Sequence, residues 1–98
     1  MVCAIYGISP ATEEFLSQLN NQDRIIGLLD GYCQEGELYG KPIISLEKAI
    51  EQGVNTIVVV ARPSSRRIVV NRIQKTCREK GIRLLDTEGK DLLEEIHK

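Results

Sequence analysis

The sequence predicts an α/β fold of three layers: a parallel sheet of about five strands, order 3-2-1-4-5, with helices on both faces. Three observations lead there. Short apolar runs alternate with segments of helical periodicity along the whole chain, and strict alternation implies right-handed crossovers and parallel strands. The run Thr56-Ile57-Val58-Val59-Val60-Ala61 is rich in β-branched residues, as suits a strand buried on both faces. Finally, 42% of the 98 residues are hydrophobic, yet Trp is absent and the aromatics are three Tyr and one Phe. Ile, Leu and Val must therefore build the core. The length suits one domain, residues 1–98.

Residues 2–6 form an apolar run that ends at Gly7 and reads as the first strand. Ser9-Pro10 marks a helix start, since Ser can cap and Pro fits the first helical position. Ala11, Phe15, Leu16 and Leu19 recur at helical spacing, giving helix one over residues 10–20, with Glu13 and Glu14 near its positive end. A polar turn at 20–23 leads to strand two over 24–29, which closes on Asp30-Gly31. After a Gly-containing loop, residues 42–45 read as a short edge strand, where Pro is tolerated. Ser45 then caps helix two, with Leu46, Ala49 and Ile50 on its buried side and Gly53 at its end. The Val-rich strand is followed by Arg62-Pro63-Ser64-Ser65, with Ser64 or Ser65 expected as the cap of helix three. Ile68 or Val69, Val70, Ile73 and Cys77 form that helix's apolar stripe, and Gly81 stops it. Residues 82–85 make the last strand and 90–96 a terminal helix.

Net charge is −1, but its distribution is uneven. Residues 13–53 hold eight acids and three bases, whereas residues 62–83 hold eight bases and one acid, Glu79. The basic block suits either a solvated helix face or contact with an anion or acidic surface. Neither a nucleic-acid nor a membrane partner is expected. The longest apolar run is far short of the ~20 residues of a bilayer span, and no basic-then-apolar leader opens the chain. Cys3, Cys33 and Cys77 are odd in number, widely spaced and contain no Cys-x-x-Cys pair, so neither a zinc site nor a dithiol redox motif finds support. Cys3 and Cys77 fall at apolar positions and read as small hydrophobes. A reducing, cytoplasmic setting is expected.

In a sheet of this order, ligands bind at the carboxyl ends of the strands, at the switch point between strands one and four. The Gly7-Ile8-Ser9 turn and the Arg62-Pro63-Ser64-Ser65 loop should meet there, bordered by Asp30. The first turn is a degraded dinucleotide fingerprint: Gly7 is present, but the later glycine positions hold Ser9 and Thr12. Asp30 lies about 20 residues on, where a ribose-binding acid would sit. A purely structural account also fits, with Gly7 in a tight turn, Ser9 as a cap and Asp30-Gly31 as a turn pair. In the second loop, two hydroxyls at a helix start beside Arg62 and Arg66 suit a phosphate or carboxylate, or else simple capping on a basic turn. No catalytic set is visible. Strand two ends in Asp30 much as in haloacid-dehalogenase phosphatases, but the acid/base Asp expected two residues later is Tyr32. His97 stands alone near the end, and Cys33 has no His nearby in sequence.

Several stretches together resemble the Rossmann-like, CoA-binding-like N-terminal domains of polysaccharide-biosynthesis proteins, among them nucleotide-sugar dehydratases and sugar O-acyltransferases. They are Ile5-Tyr6-Gly7, Ile26-Gly27-Leu28-Leu29-Asp30, Tyr39-Gly40-Lys41-Pro42-Ile43-Ile44 and Val58-Val59-Val60-Ala61-Arg62-Pro63-Ser64-Ser65-Arg66. Gly7-Ile8-Ser9-Pro10-Ala11-Thr12, Gly36-Glu37-Leu38-Tyr39-Gly40-Lys41 and Gly89-Lys90-Asp91-Leu92-Leu93 are also similar to the domain preceding the hydrolase module in some large haloacid-dehalogenase-superfamily proteins of surface-glycan clusters. The chain departs from the nucleotide-sugar families at Ser9 and Thr12, usually Gly, and at Gly31, often Asp. The resemblance implies the fold and an accessory domain. Together with the convergence of the two loops it leads to the expectation of a non-catalytic module for a nucleotide, nucleotide-sugar or CoA-like phosphate compound, with Gly7, Ser9, Asp30, Arg62, Ser64, Ser65 and Arg66 as its contacts. The competing expectation is a docking or oligomerisation domain that has lost its ligand and positions a hydrolase module or a second copy.

Overall fold

Among the described residues, four parallel strands make the main sheet. They are β1 (Cys3–Tyr6), β2 (Ile25–Leu29), β5 (Thr56–Val59) and β6 (Arg83–Leu85), in the order β2-β1-β5-β6, with a two-stranded ribbon of β3 (Glu37–Leu38) and β4 (Lys41–Pro42) beside them. The helices are α1 (Pro10–Ser17), α2 (Leu46–Glu51), α3 (Pro63–Lys80) and α4 (Leu92–Glu95). The structure is a computed structural model that describes residues 2–19, 24–31, 33 and 35–95. Tyr32 and His97, the turn at 20–23 and the end of the expected terminal helix lie outside the described residues.

The α/β class and the parallel sheet follow the sequence expectation; the strand count and order do not. Five strands in the order 3-2-1-4-5 were expected, and residues 42–45 were to supply the third. Instead, Lys41 and Pro42 pair antiparallel with Leu38 and Glu37. An isolated parallel bridge, Leu28 to Ile43, with the Ile44 N–H donated to Leu28 O (2.9 Å), ties this segment to β2 in place of a ladder among the described residues. The cause is local. Tyr39 (φ 54°) and Gly40 (φ 77°) both take positive φ, the requirement of a two-residue hairpin turn. Pro42 has no N–H to give a sheet neighbour. Gly27 lets the ribbon lie close, because a Cβ there would stand 2.9 Å from Pro42 O.

β1 and β5 run side by side at the centre, with Cys3, Ala4, Ile5 and Tyr6 opposite Thr56, Ile57, Val58 and Val59. Alternate residues face opposite layers. Ala4, Tyr6, Ile57, Val59 and Leu84 pack with Ala49 of α2 and with Val70, Ile73 and Cys77 of α3. Cys3, Ile5 and Val60 pack with Leu16 of α1. Each fully buried aliphatic side chain contributes about 2 kcal/mol against exposure, so α3 is held by its Val70, Ile73 and Cys77 stripe.

The caps explain the helix ends. Ser9 is the N-cap of α1 with Pro10 at its first position. Ser45 Oγ accepts from Lys48 N (3.1 Å) at α2. α3 begins earlier than expected: its N-cap is the extended Arg62, and Pro63, not a serine, opens it. Proline presets the helical φ and keeps the residue before it extended, so the X-Pro signal outranks the two hydroxyls. Gly81 ends α3 in the left-handed conformation (φ 68°), and Ile82 N–H closes back on Cys77 O at 2.8 Å. Of the two residues offered for the stripe of α3, Val69 is half-buried and Ile68 is 60% exposed.

Candidate functional site

The chain leaves β1 toward β2 and later crosses back to place β5 on the other side of β1. The carboxyl ends of β1 and β5 therefore flank the switch point of the sheet, where connections diverge and leave a crevice. Backbone bonds tie the exits together: Gly7 N–H donates to Leu29 O and Val60 N–H to Tyr6 O, each at 2.9 Å. Gly7 adopts φ 132°, and a Cβ added there would fall on the Val60 carbonyl oxygen. Only glycine lets the first turn lie this close to the strand beside it.

Next to this contact opens a cleft of about 820 Å³. Gly7, Ile8 and Ser9 form one rim and Ala61, Arg62 and Ser65 the other, while Asp30 joins from the end of β2 and Thr87 from beyond β6. Ala11, Glu14, Phe15 and Gln18 of α1 supply a side wall. Their spacing is one helical stripe, a signal in the sequence that the expectation built on loops alone did not use.

Five of the seven expected contact residues, Gly7, Ser9, Asp30, Arg62 and Ser65, thus line one cleft. Ser64 and Arg66 do not. Ser64 is exposed on the first turn of α3, and Arg66 turns toward Asp86, with Nη1 3.9 Å from Oδ2. At that distance the pair is a loose ion contact worth well under about 1 kcal/mol. Asp86 also accepts from Glu88 N (2.8 Å) and Lys90 N (2.9 Å), which folds the turn after β6 back on itself. Asp30 Oδ2 accepts from Cys33 N at 3.0 Å, so this carboxylate already orders the start of the loop after β2.

Thr12 accounts for the lost fingerprint. It is fully buried under the first turn. Its Oγ1 donates to Gly7 O (3.0 Å) and accepts from Ser9 N (3.3 Å). The space a third glycine would leave open is filled, and one backbone donor that would meet a pyrophosphate is already spent. Hydroxyl residues at the cap and three residues on, Ser9 and Thr12, are the sequence signal from which this bracing could have been found.

Arg62, Arg66 and Arg67 gather at the positive end of the 18-residue α3, whose first turn holds no acidic residue. Cations at that end oppose the helix dipole. The cysteines offer no nucleophile in the core: burial pushes the Cys3 thiol up and the Cys77 thiol to about 11. Cys33 is partly exposed, and its Sγ donates to Glu35 O at 3.2 Å. Among the described residues, no cluster of His, Cys, Asp and Glu could hold a metal ion, and no helix is long and apolar enough to cross a membrane.

Compared with protein-family models, curated proteins and solved structures, the chain gives no significant match in any of the three.

Proposed function

We propose that the chain is a non-catalytic module that binds a phosphate-bearing small molecule, a nucleotide, nucleotide-sugar or CoA-like compound, in the switch-point cleft. It would serve as an accessory to a sugar-modifying or hydrolase protein, in keeping with the resemblance to Rossmann-like domains of glycan biosynthesis. The observation that carries the reading is the positive end of α3, with Arg62 and Ser65 on the cleft wall and no acid in the helix's own first turn; Asp86 meets Arg66 at 3.9 Å but does not line the cleft. An anion there relieves the clash between the arginines and the helix dipole. Arg62 and Ser65 hold the phosphate, Asp30 accepts a ligand hydroxyl, and the Gly7–Ser9 turn lies against the ligand body. Arg66 and Ser64, off the lining, add positive potential and a flanking hydroxyl.

Calorimetry with UDP-glucose, CoA, NAD and UMP tests the reading. At least one is expected to bind more tightly than millimolar, and Arg62→Ala is expected to weaken it about tenfold or more, the worth of one charge-assisted hydrogen bond. If every compound stays weaker than millimolar, the reading fails.

A second reading, a docking or oligomerisation domain, is favoured by Ile68, which stands 60% exposed among the bases of α3. It predicts a light-scattering mass above the monomer that Ile68→Glu restores to the monomer value.

A further inference from the structure

We infer that the cleft selects ligands with a single phosphoryl group over those joined through a diphosphate. The inference rests on the binding reading above and narrows its ligand class.

The two helix starts at the cleft are not equivalent. At α1, Ser9 N–H is taken by Thr12 Oγ1, Pro10 has no N–H, and Thr12 N–H returns to Ser9 O at 2.8 Å. A pyrophosphate in a dinucleotide fold needs consecutive donors at that turn. Thr12 is fully buried and hydrogen-bonded at both ends of its hydroxyl, so the turn cannot release them without losing its own support. At α3, by contrast, Arg62 and the Ser65 hydroxyl stand on the wall, and both are exposed. This end offers a phosphoryl group a cation and a hydroxyl together, whereas the α1 turn brings no cation and its run of donors is interrupted at Ser9 and Pro10.

Charge sharpens the difference. Among the described residues, the charged side chains lining the cleft are one base, Arg62, and two acids, Glu14 and Asp30. A phosphate monoester concentrates its charge at one point, which Arg62 can meet. A diphosphate spreads its charge over two phosphoryl groups. With the first at Arg62, the second lies against the α1 turn, short of donors, or against a carboxylate, where like charges repel. Those same carboxylates suit the hydroxyls of a sugar or ribose, and Ile8, Ala11 and Phe15 offer an apolar surface for a base. The class that fits is a sugar phosphate or nucleoside monophosphate.

The test is calorimetry on the intact chain with UMP and glucose 1-phosphate against UDP-glucose and NAD, repeated on Glu14→Gln. Glu14 is an exposed helix residue, so the substitution leaves folding intact. At least one monophosphate is expected to bind about tenfold more tightly than either diphosphate compound, and Glu14→Gln is expected to narrow that gap about two- to threefold. UDP-glucose or NAD binding as tightly as both monophosphates would overturn the inference while leaving the binding reading standing. If none of the four binds more tightly than millimolar, the binding reading falls and this inference with it.

Discussion

Replacing Gly7 by alanine separates two costs that share one position. The first is conformational. Gly7 sits at φ 132°, outside the small left-handed region open to L-residues, and forcing alanine there costs about 1–3 kcal/mol. The second is steric. The new methyl would land on the Val60 carbonyl oxygen, a backbone atom that cannot swing aside. Relief requires the exit of β5 to move, which breaks the 2.9 Å bond from Val60 N–H to Tyr6 O, worth about 1 kcal/mol. The total is about 3 kcal/mol. Gly81→Ala is the control. Gly81 also has positive φ (68°), but nothing lies within 4 Å of its Cβ position, so it bears about 1 kcal/mol of backbone cost alone. With a domain of this size losing about 4–8 °C per kcal/mol, Gly7→Ala should melt about 8–16 °C below Gly81→Ala in far-UV circular dichroism. Melting points within about 3 °C of each other would refute the close approach of the two exits.

Thr12→Val keeps the shape beneath the first turn but removes its hydroxyl, leaving Gly7 O and Ser9 N–H without that partner; urea unfolding should show a loss of about 1–2 kcal/mol. A loss below about 0.5 kcal/mol would mean the hydroxyl does not brace the turn. Burial raises the Cys77 thiol from its ordinary 9.0 to about 11. Because the folded form holds its proton longer than the unfolded one, the stability contribution is whole below pH 9 and declines as pH climbs toward 11, by at most about 1.4 kcal/mol per pH unit. Cys77→Ala should flatten that part of the profile in urea titrations at pH 8 to 11, and an unchanged slope would contradict the burial.

The α/β alternation was readable because each signal acts locally. Ser45 needs only the N–H three residues on, and Gly81 needs only its own φ. The Val-rich strand announced its burial by chemistry alone. Residues 42–45 misled because pairing is decided between segments: alternation offers β2 a third strand, while the positive-φ pair Tyr39-Gly40 commits the chain to a hairpin first. The start of α3 was misplaced although Arg62-Pro63 repeats the logic of Ser9-Pro10. The proline sets the helix start, and the two serines after it fall inside the first turn rather than at the cap. In the site, turns that follow strands could be placed from sheet logic, which is why Gly7, Ser9, Asp30, Arg62 and Ser65 converge. Directions of side chains could not. Arg66 faces Asp86 across a turn whose Asp-Thr-Glu-Gly pattern was present in the sequence but whose position depends on β6 docking beside β5.

The pairing of β1 with β5 governs when this molecule can assemble. Val2 N–H reaches Asn55 Oδ1 across 53 residues, so the centre of the sheet joins segments that are far apart along the chain. Closing so long a loop must precede any gain from the contact, which slows folding relative to helical bundles of similar size. During synthesis the opening strand waits, one edge bare, until the Val-rich strand has emerged. The two rims of the cleft, after β1 and after β5, come together only once these distant segments pair. Hydrogen exchange at Gly7 and Val60 should therefore report global unfolding rather than local opening.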